Sequence, residues 1–312
     1  MRIALVDPSR AVQRAMTSLI AQGGHDVLAF GEGKKALDCI NADASVSALI
    51  TSVQLPDVSG LELCSAARKL AGKRRPLVII VMSSTEDFSL AVKALDKGAD
   101  DFIHKPPFAE ELQARLRAAD RMTSMQRELI KYATIDFLTG LLNRRAFFED
   151  ASEACRTADA NKLLSTILFD IDYFKSINDT YGHQVGDIVL ANISAAAKIA
   201  ASGIVGRLGG EEFCILEHGD RATAVQRAEV LRHTVKRVKI PKCNSLNITC
   251  SFGVAEWEPG DTIDRLLRRA DIAMYEAKRT GRDRVVAMDD FALTDHHAKW
   301  QGTIRGAQRG SL

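Results

Sequence analysis

Five short apolar segments, separated by helix-length stretches, restrict the fold of residues 1–120 more than any other feature. The segments lie at residues 3–6, 26–30, 48–50, 77–82 and 101–103. A hairpin turn needs only two residues, whereas a crossover between parallel strands needs about a dozen, usually a helix. The alternation therefore predicts an α/β domain, with a doubly wound parallel sheet covered by helices on both faces. Any site is expected at the carboxyl ends of the strands.

Polar side chains occur where four of these predicted strands end, and two loop motifs accompany them. The polar residues are Asp7, Ser52, Ser83 and Lys105, and the loop motifs are Leu-Pro-Asp-Val-Ser-Gly at 55–60 and Gly-Ala-Asp-Asp-Phe at 98–102. Together they make residues 1–120 resemble a response-regulator receiver domain. The resemblance implies a cis peptide bond before Pro106, because many receivers have one there.

Two departures from the receiver pattern affect its chemistry. The residue four positions before Pro56, an aspartate that is phosphorylated in receivers, is Ser52, and the metal-binding aspartate expected after Asp7 is Pro8. Aspartyl phosphorylation without these carboxylates lacks a stabilised transition state. We therefore expect a pseudo-receiver that is not switched by phosphorylation, in which Ser83 and Lys105 persist for packing and hydrogen bonding. An unknown protein partner is one expected substitute for the phosphate signal.

The second half of the chain contains a compact arrangement of glycines and carboxylates. Gly209 and Gly210 precede Glu211 and Glu212 between two apolar runs, which is typical of a hairpin tip that a ligand approaches closely. A solvated tip is the alternative. Upstream, the apolar run at 163–168 predicts a buried strand that delivers Asp170 at its end. Strand-end aspartate and hairpin glutamate are hard oxygen ligands of the kind that Mg²⁺ prefers.

Four ordered motifs make residues 126–290 resemble GGDEF-family diguanylate cyclases. They lie at residues 136–145, 169–179, 207–213 and 277–282. The resemblance implies an α+β domain, with the active site on a central antiparallel sheet, that condenses two GTP into cyclic di-GMP and two pyrophosphates.

The resemblance also implies a role for each matching residue. Asp170, Glu212 and the carbonyl of Ile171 would bind two Mg²⁺ or Mn²⁺ ions, and Glu211 would assist deprotonation. Asn178 and Asp187 would read guanine, whose N1 and N2 donors suit a carboxylate. The expected triphosphate contacts are Lys175, Lys278 and Arg282, for which a solvated surface charge is the alternative. Many family members bind their product at an Arg-x-x-Asp turn, here Ala200 to Gly203, so weak or absent product inhibition is expected.

Residues 109–133 predict a signalling helix that overlaps the last receiver helix. Leu112, Leu116, Ala119, Met122, Leu129 and Ala133 recur at mostly helical spacing without Gly or Pro. This stripe either packs on its own receiver or forms the seam of a coiled-coil homodimer. In the family each cyclase site holds one GTP, so two chains must face each other. The resulting boundaries are 1–120, 109–133, 134–290 and a flexible tail at 291–312.

The composition fits a two-domain cytoplasmic enzyme. The formal net charge of +2 gives no indication of nucleic-acid binding, and no apolar run is long enough to cross a membrane. The six cysteines form no CxxC pair and are expected to be reduced. Two alternatives to a cyclase stay open: a catalytically inactive GTP-binding sensor, which should have lost site residues, and a protein-interaction scaffold.

Overall fold

The structure is a computed structural model that describes residues 1–72, 74–85, 87–159, 163–241, 243 and 245–288. The expected tail at 291–312 lies outside these residues. The chain divides into two compact units between Lys131 and Tyr132. No helix in the described ranges is long and apolar enough to cross a membrane.

The first unit contains a parallel five-stranded sheet, as the alternation predicted, in the order β2-β1-β3-β4-β5. Its elements are β1 (Arg2–Val6), α1 (Arg10–Gln22), β2 (Asp26–Phe30), α2 (Gly33–Ala42), β3 (Val46–Ser52), α3 (Gly60–Ala71), β4 (Val78–Ser83), α4 (Phe88–Asp96), β5 (Asp101–His104) and α5 (Ala109–Thr134). One core contains residues of α2, α3 and α4 and the other contains residues of α1 and α5, so helices cover both faces. The peptide bond between Lys105 and Pro106 is cis, as expected.

Helix α5 divides the predicted apolar stripe into two parts. Leu112, Leu116 and Ala119 are buried in the core of the first unit, so this part fits the packing alternative. Further along the helix Met122 is 39% exposed and Leu129 is 64% exposed. Their distribution restricts any coiled-coil seam to the second half of α5.

The second unit contains a mixed five-stranded sheet in the order β10-β9-β6-β8-β7. Its elements are α6 (Arg144–Thr157), β6 (Leu164–Ile171), α7 (Phe174–Tyr181), α8 (His183–Ala200), β7 (Ile204–Gly209), β8 (Glu212–His218), α9 (Arg221–Lys236), β9 (Cys250–Glu256), α10 (Ile263–Arg279) and β10 (Val285–Ala287). Strands β9, β6, β8 and β7 are antiparallel, as predicted, but β10 joins the edge of β9 in parallel.

Phe169, one residue before the predicted metal-binding aspartate, stacks with two further aromatic rings. The ring centroid of Phe169 on β6 is 5.3 Å from that of Phe213 and 5.1 Å from that of Phe252. These residues are direct cross-strand partners in β8 and β9. Because successive side chains of a strand point to opposite faces, a one-residue slip would exchange the positions of Phe169 and Asp170. Aromatic packing in the core therefore determines the face on which Asp170 lies.

Candidate functional site

Asp170 and Glu212 lie directly opposite each other on neighbouring strands. Asp170 is the penultimate residue of β6 and pairs in register with Glu212, the first residue of β8. Asp170 is buried, whereas Glu212 is exposed and Glu211 is half-buried. Since cross-strand neighbours have Cβ atoms about 5 Å apart, the pair can share one ligand. The structure therefore brings together the two carboxylates that the sequence assigned to metal.

A lysine of α10 is paired with this acidic cluster. The Nζ atom of Lys278, on α10, is 2.9 Å from Oδ1 of Asp170. Burial raises the pKa of Asp170 to about 6; the hydrogen bond and charge of Lys278 oppose this rise, and the charges of Glu211 and Glu212 add to it. Asp271, a residue that the sequence reasoning missed, also has a raised pKa because of burial and the charge of Glu212. An excess of negative charge of this kind favours a bound cation.

The protein ligands alone would not complete the coordination shell of a hard cation. Among the described residues, no group of three or more His, Cys, Asp or Glu side chains is arranged to hold a metal ion. Mg²⁺ usually takes one or two carboxylates and completes its octahedral shell with water and substrate phosphates. Asp170 and Glu212, with the adjacent backbone carbonyl of Ile171, fit a divalent ion that binds together with a nucleotide.

Arg207 supports the glycine turn between β7 and β8. Its Nε and Nη2 atoms donate to the carbonyl of Gly210 at 2.9 and 2.7 Å, and its Nη1 atom is 3.2 Å from Oδ1 of Asp136. Gly210 has φ +48°, a left-handed conformation that glycine adopts without steric cost. Burial raises the pKa of Asp136, but the hydrogen bonds from Thr139 and the charge of Arg207 lower the pKa by more than burial raises it. The pKa of Asp136 is therefore below its ordinary value. Neither Arg207 nor Asp136 had a role predicted from the sequence.

The two predicted guanine-reading residues lie on adjacent helices. Asn178 is on α7 and Asp187 is on α8, and Gly182, with φ +84°, separates the helices. A Cβ atom at Gly186 would lie 1.9 Å from Oδ1 of Asn178, so only glycine allows this close approach. Asn178 is thus held against the first turn of α8, beside Asp187, which is exposed.

The three predicted phosphate-binding residues lie on different elements. Lys278 contacts Asp170, as described, and Lys175 is exposed in the first turn of α7. The guanidinium Cζ of Arg282 lies 4.4 Å from the ring centroid of Tyr173, and the Nη1 atom of Arg282 donates to the Tyr173 hydroxyl at 3.2 Å. Arg282 and Lys278 therefore each contact a residue in or just after strand β6.

In the first unit, the polar strand-end residues also meet. Lys105 donates to the side chains of both Asp7 and Ser52. The hydroxyl of Ser83 is 2.8 Å from that of Thr85. Asp7, Ser52 and Ser83 are all buried. The amine that would contact a phosphoryl group in a receiver is thus occupied by groups of the protein itself.

Comparisons with known proteins match both units. Residues 3–117 match the response regulator receiver domain, and residues 133–284 match the family described as diguanylate cyclase, GGDEF domain. Response regulator PleD of Caulobacter vibrioides is 33% identical over 301 residues, which cover 91% of this chain and 65% of PleD. Diguanylate cyclase VdcA of Vibrio cholerae is 34% identical over 213 residues, which cover 66% of this chain and 62% of VdcA.

A solved structure agrees with these sequence matches. The coiled coil and GGDEF domain of DgcB from Caulobacter crescentus, solved with c-di-GMP, is 33% identical, with a TM-score of 0.53. The match covers 57% of this chain and 99% of that one. The chain spans slightly less than two thirds of the length of the curated relatives PleD and VdcA.

Proposed function

Because this chain belongs to the GGDEF family of diguanylate cyclases, with a receiver domain before the GGDEF domain, we propose that it condenses two GTP into cyclic di-GMP. The observation that carries the proposal is the register pairing of Asp170 with Glu212 beside Lys278. Glu211, in the adjoining turn, is the proposed base that takes the proton from the attacking 3′-hydroxyl. Each of the two new phosphodiester bonds releases one pyrophosphate.

The proposed metal ligands are Asp170, Glu212 and the carbonyl of Ile171. Two Mg²⁺ or Mn²⁺ ions in this site would supply Lewis acidity at the α-phosphate and at the attacking hydroxyl. The buried carboxylate of Asp170 gives the site a fixed anchor, and the exposed carboxylate of Glu212 lies on the side open to substrate. Lys278 would add positive charge close to the phosphates, where charge builds up as pyrophosphate leaves.

Substrate selection is assigned to Asn178 and Asp187, and triphosphate binding to Lys175, Lys278 and Arg282. The carboxylate of Asp187 accepts two hydrogen bonds, which matches the N1 and N2 donors of guanine, and adenine lacks that pair. The close packing of Asn178 against Gly186 supports this assignment because it restricts the amide to one region beside Asp187.

The proposed active form is a homodimer, in which two chains face each other with one GTP each. Exposed apolar side chains on α5 support this proposal. Met122, Met125, Leu129 and Tyr132 are 39%, 64%, 64% and 60% exposed, and their spacing of three, four and three residues is that of a coiled-coil seam. We propose that the first unit is a phosphorylation-independent pseudo-receiver. The contacts of Lys105 with Asp7 and Ser52 support this role.

The test is to incubate the purified protein with GTP and Mg²⁺ and to separate the nucleotide products. We expect cyclic di-GMP and pyrophosphate from the wild type, and at least about a thousandfold slower formation from Asp170→Ala or Glu212→Ala, equivalent to about 4 kcal/mol. Glu153→Gln, which changes an exposed carboxylate paired with Arg156 on α6, is the matched control and should keep full activity.

Two results would contradict the proposal. GTP binding without any product would identify an inactive sensor, and near-normal turnover in a folded Asp170→Ala variant would remove the metal-site assignment. The inactive sensor should have lost site residues, but Asp170, Glu211, Glu212, Asn178 and Asp187 are all present.

A further inference from the structure

A second aspartate, Asp172, follows β6 and is almost completely buried, with an exposed fraction of 4%. Its Oδ2 accepts hydrogen bonds from Thr249 Oγ1 at 2.7 Å and from the backbone N–H of Asp283 at 3.1 Å, and its Oδ1 accepts one from Ser251 Oγ at 2.7 Å. All three donors are neutral. Both carboxylate oxygens of Asp172 therefore have the hydrogen-bond partners that a buried polar group needs.

The donor from Asp283 belongs to a turn with an unusual backbone. Arg282 has φ +61° and Asp283 has φ +46°, and non-glycine residues adopt such values only rarely. Two neighbouring residues in this region need contacts that hold them there. Asp172 accepts from the backbone N–H of Asp283, while the Asp283 carboxylate is 2.9 Å from Nη1 of Arg232 and 2.6 Å from Nζ of Lys236.

Asp172 is also next to the residue on which Arg282 rests. Tyr173 follows Asp172 directly and has φ +57°. Its ring faces the guanidinium of Arg282 at 4.4 Å, and its hydroxyl accepts a hydrogen bond from that group. Asp172 is therefore adjacent in sequence to Tyr173 and is bonded to the residue after Arg282. Asp172 therefore links the backbone just before Tyr173 to the backbone just after Arg282.

We propose that Asp172 is a positioning residue that holds Arg282 ready for the triphosphate of GTP. This inference rests on the proposed function, in which Arg282 contacts the phosphates. An arginine side chain that is already ordered loses less entropy when it binds, so its contact contributes more to affinity. Asp172 would act through Arg282, without touching the nucleotide or the metal.

The experiment measures binding of a GTP analogue with a methylene group between the α- and β-phosphates, which cannot be cyclised. Calorimetry with Mg²⁺ is performed on wild type, Asp172→Asn, Arg282→Ala and the double variant. Asparagine keeps the size of the side chain, but its NH₂ group cannot accept from one of the donors. We expect about tenfold weaker binding in Asp172→Asn and less than a twofold further change when it is added to Arg282→Ala.

A merely structural role gives a different result, because a general loosening of the unit would weaken binding equally in the Arg282→Ala background. Asp261→Asn is the matched control. Asp261 is another buried carboxylate of this unit, paired with Arg269 and located after the far end of β9. It should leave the affinity for the analogue unchanged.

If Asp172→Asn does not fold, the combined Thr249→Val and Ser251→Ala variant takes its place in the same cycle. It removes two of the three donors, and we expect weaker binding that again depends on Arg282. Absence of analogue binding in the wild type would refute the proposed function itself. Wild-type binding that weakens in Arg282→Ala but not in Asp172→Asn would overturn only the role of Asp172. An unchanged Arg282→Ala variant would overturn it together with the role of Arg282.

Discussion

Asp170→Asn should make the metal-free protein more stable at pH 7 while it abolishes cyclase activity. Burial raises the pKa of this carboxyl from its ordinary value of 3.8 to about 6. Since a tenfold change in proton affinity is about 1.4 kcal/mol, the ionised carboxylate costs the folded state about 3 kcal/mol. Asparagine resembles the neutral acid and removes this cost. For a unit of this size the midpoint of thermal unfolding should rise by about 6 to 12 °C.

The pH dependence follows from the direction of the shift. With a folded-state pKa above the unfolded-state value, the wild type binds more protons when folded, so its stability rises as pH falls from about 7 towards 4. The stabilising contribution of the protonated group is fully present below 3.8 and is lost as pH rises through about 6. The stability difference between Asp170→Asn and wild type should therefore be largest at pH 7 and above and vanish near pH 4.

The assay is thermal unfolding of both proteins in chelator at several pH values, with the transition of the second unit compared between them. Asp220→Asn is a control of opposite sign. Hydrogen bonds from Thr223 lower the pKa of Asp220, which caps helix α9, so this variant should lose stability at pH 7. If Asp170→Asn is no more stable than wild type at pH 7, the ionised carboxylate of Asp170 does not destabilise the metal-free folded state.

Three further predictions concern regulation and assembly. Turnover and sedimentation should be the same with and without acetyl phosphate, and Ser52→Asp should not restore a response in either measurement. Product should inhibit weakly, and Gly203→Asp with Ala200→Arg should not create a tight site, because a Cβ at position 203 would lie 2.2 Å from a backbone oxygen of β8; calorimetry with cyclic di-GMP tests this. Met125→Glu with Leu129→Glu should convert a dimer to monomer and reduce turnover, since both side chains are 64% exposed along one helix; sedimentation of an unchanged dimer would contradict it.

The sequence predicts those parts of the site that depend on local pattern. Asp170 follows a mainly apolar run, so its position at a strand end could be predicted, and the glycine pair predicted the turn before Glu212. The partners of Asp172 could not be predicted, because Thr249 and Asp283 are 77 and 111 residues away. Strand β10 was missed because it has three residues and pairs in parallel at an edge, with too short a run for a periodic signal.

The two alternatives for the apolar stripe on α5 could be separated only once the burial of its residues was known. The mostly helical spacing of Leu112, Leu116, Met122 and Leu129 predicts a helix, but not whether these side chains meet the protein's own core or a second chain. The structure buries the first pair and exposes the second. Asp271 was missed for a similar reason: a carboxylate among helical residues looks like an ordinary surface charge until its partial burial is known.

The chemistry and the exposed stripe together suggest how activity is controlled. Cyclic di-GMP contains two equivalent phosphodiester bonds, while the second unit carries one Asp170–Glu212 pair and one set of proposed guanine readers, so one chain provides half of the proposed reaction site. Association at Met122, Met125, Leu129 and Tyr132 would raise the effective concentration of the second half. Lys105 is already paired with Asp7 and Ser52 of its own unit, which supports the proposed pseudo-receiver. We therefore infer that association through α5, rather than phosphorylation, is the variable that sets turnover.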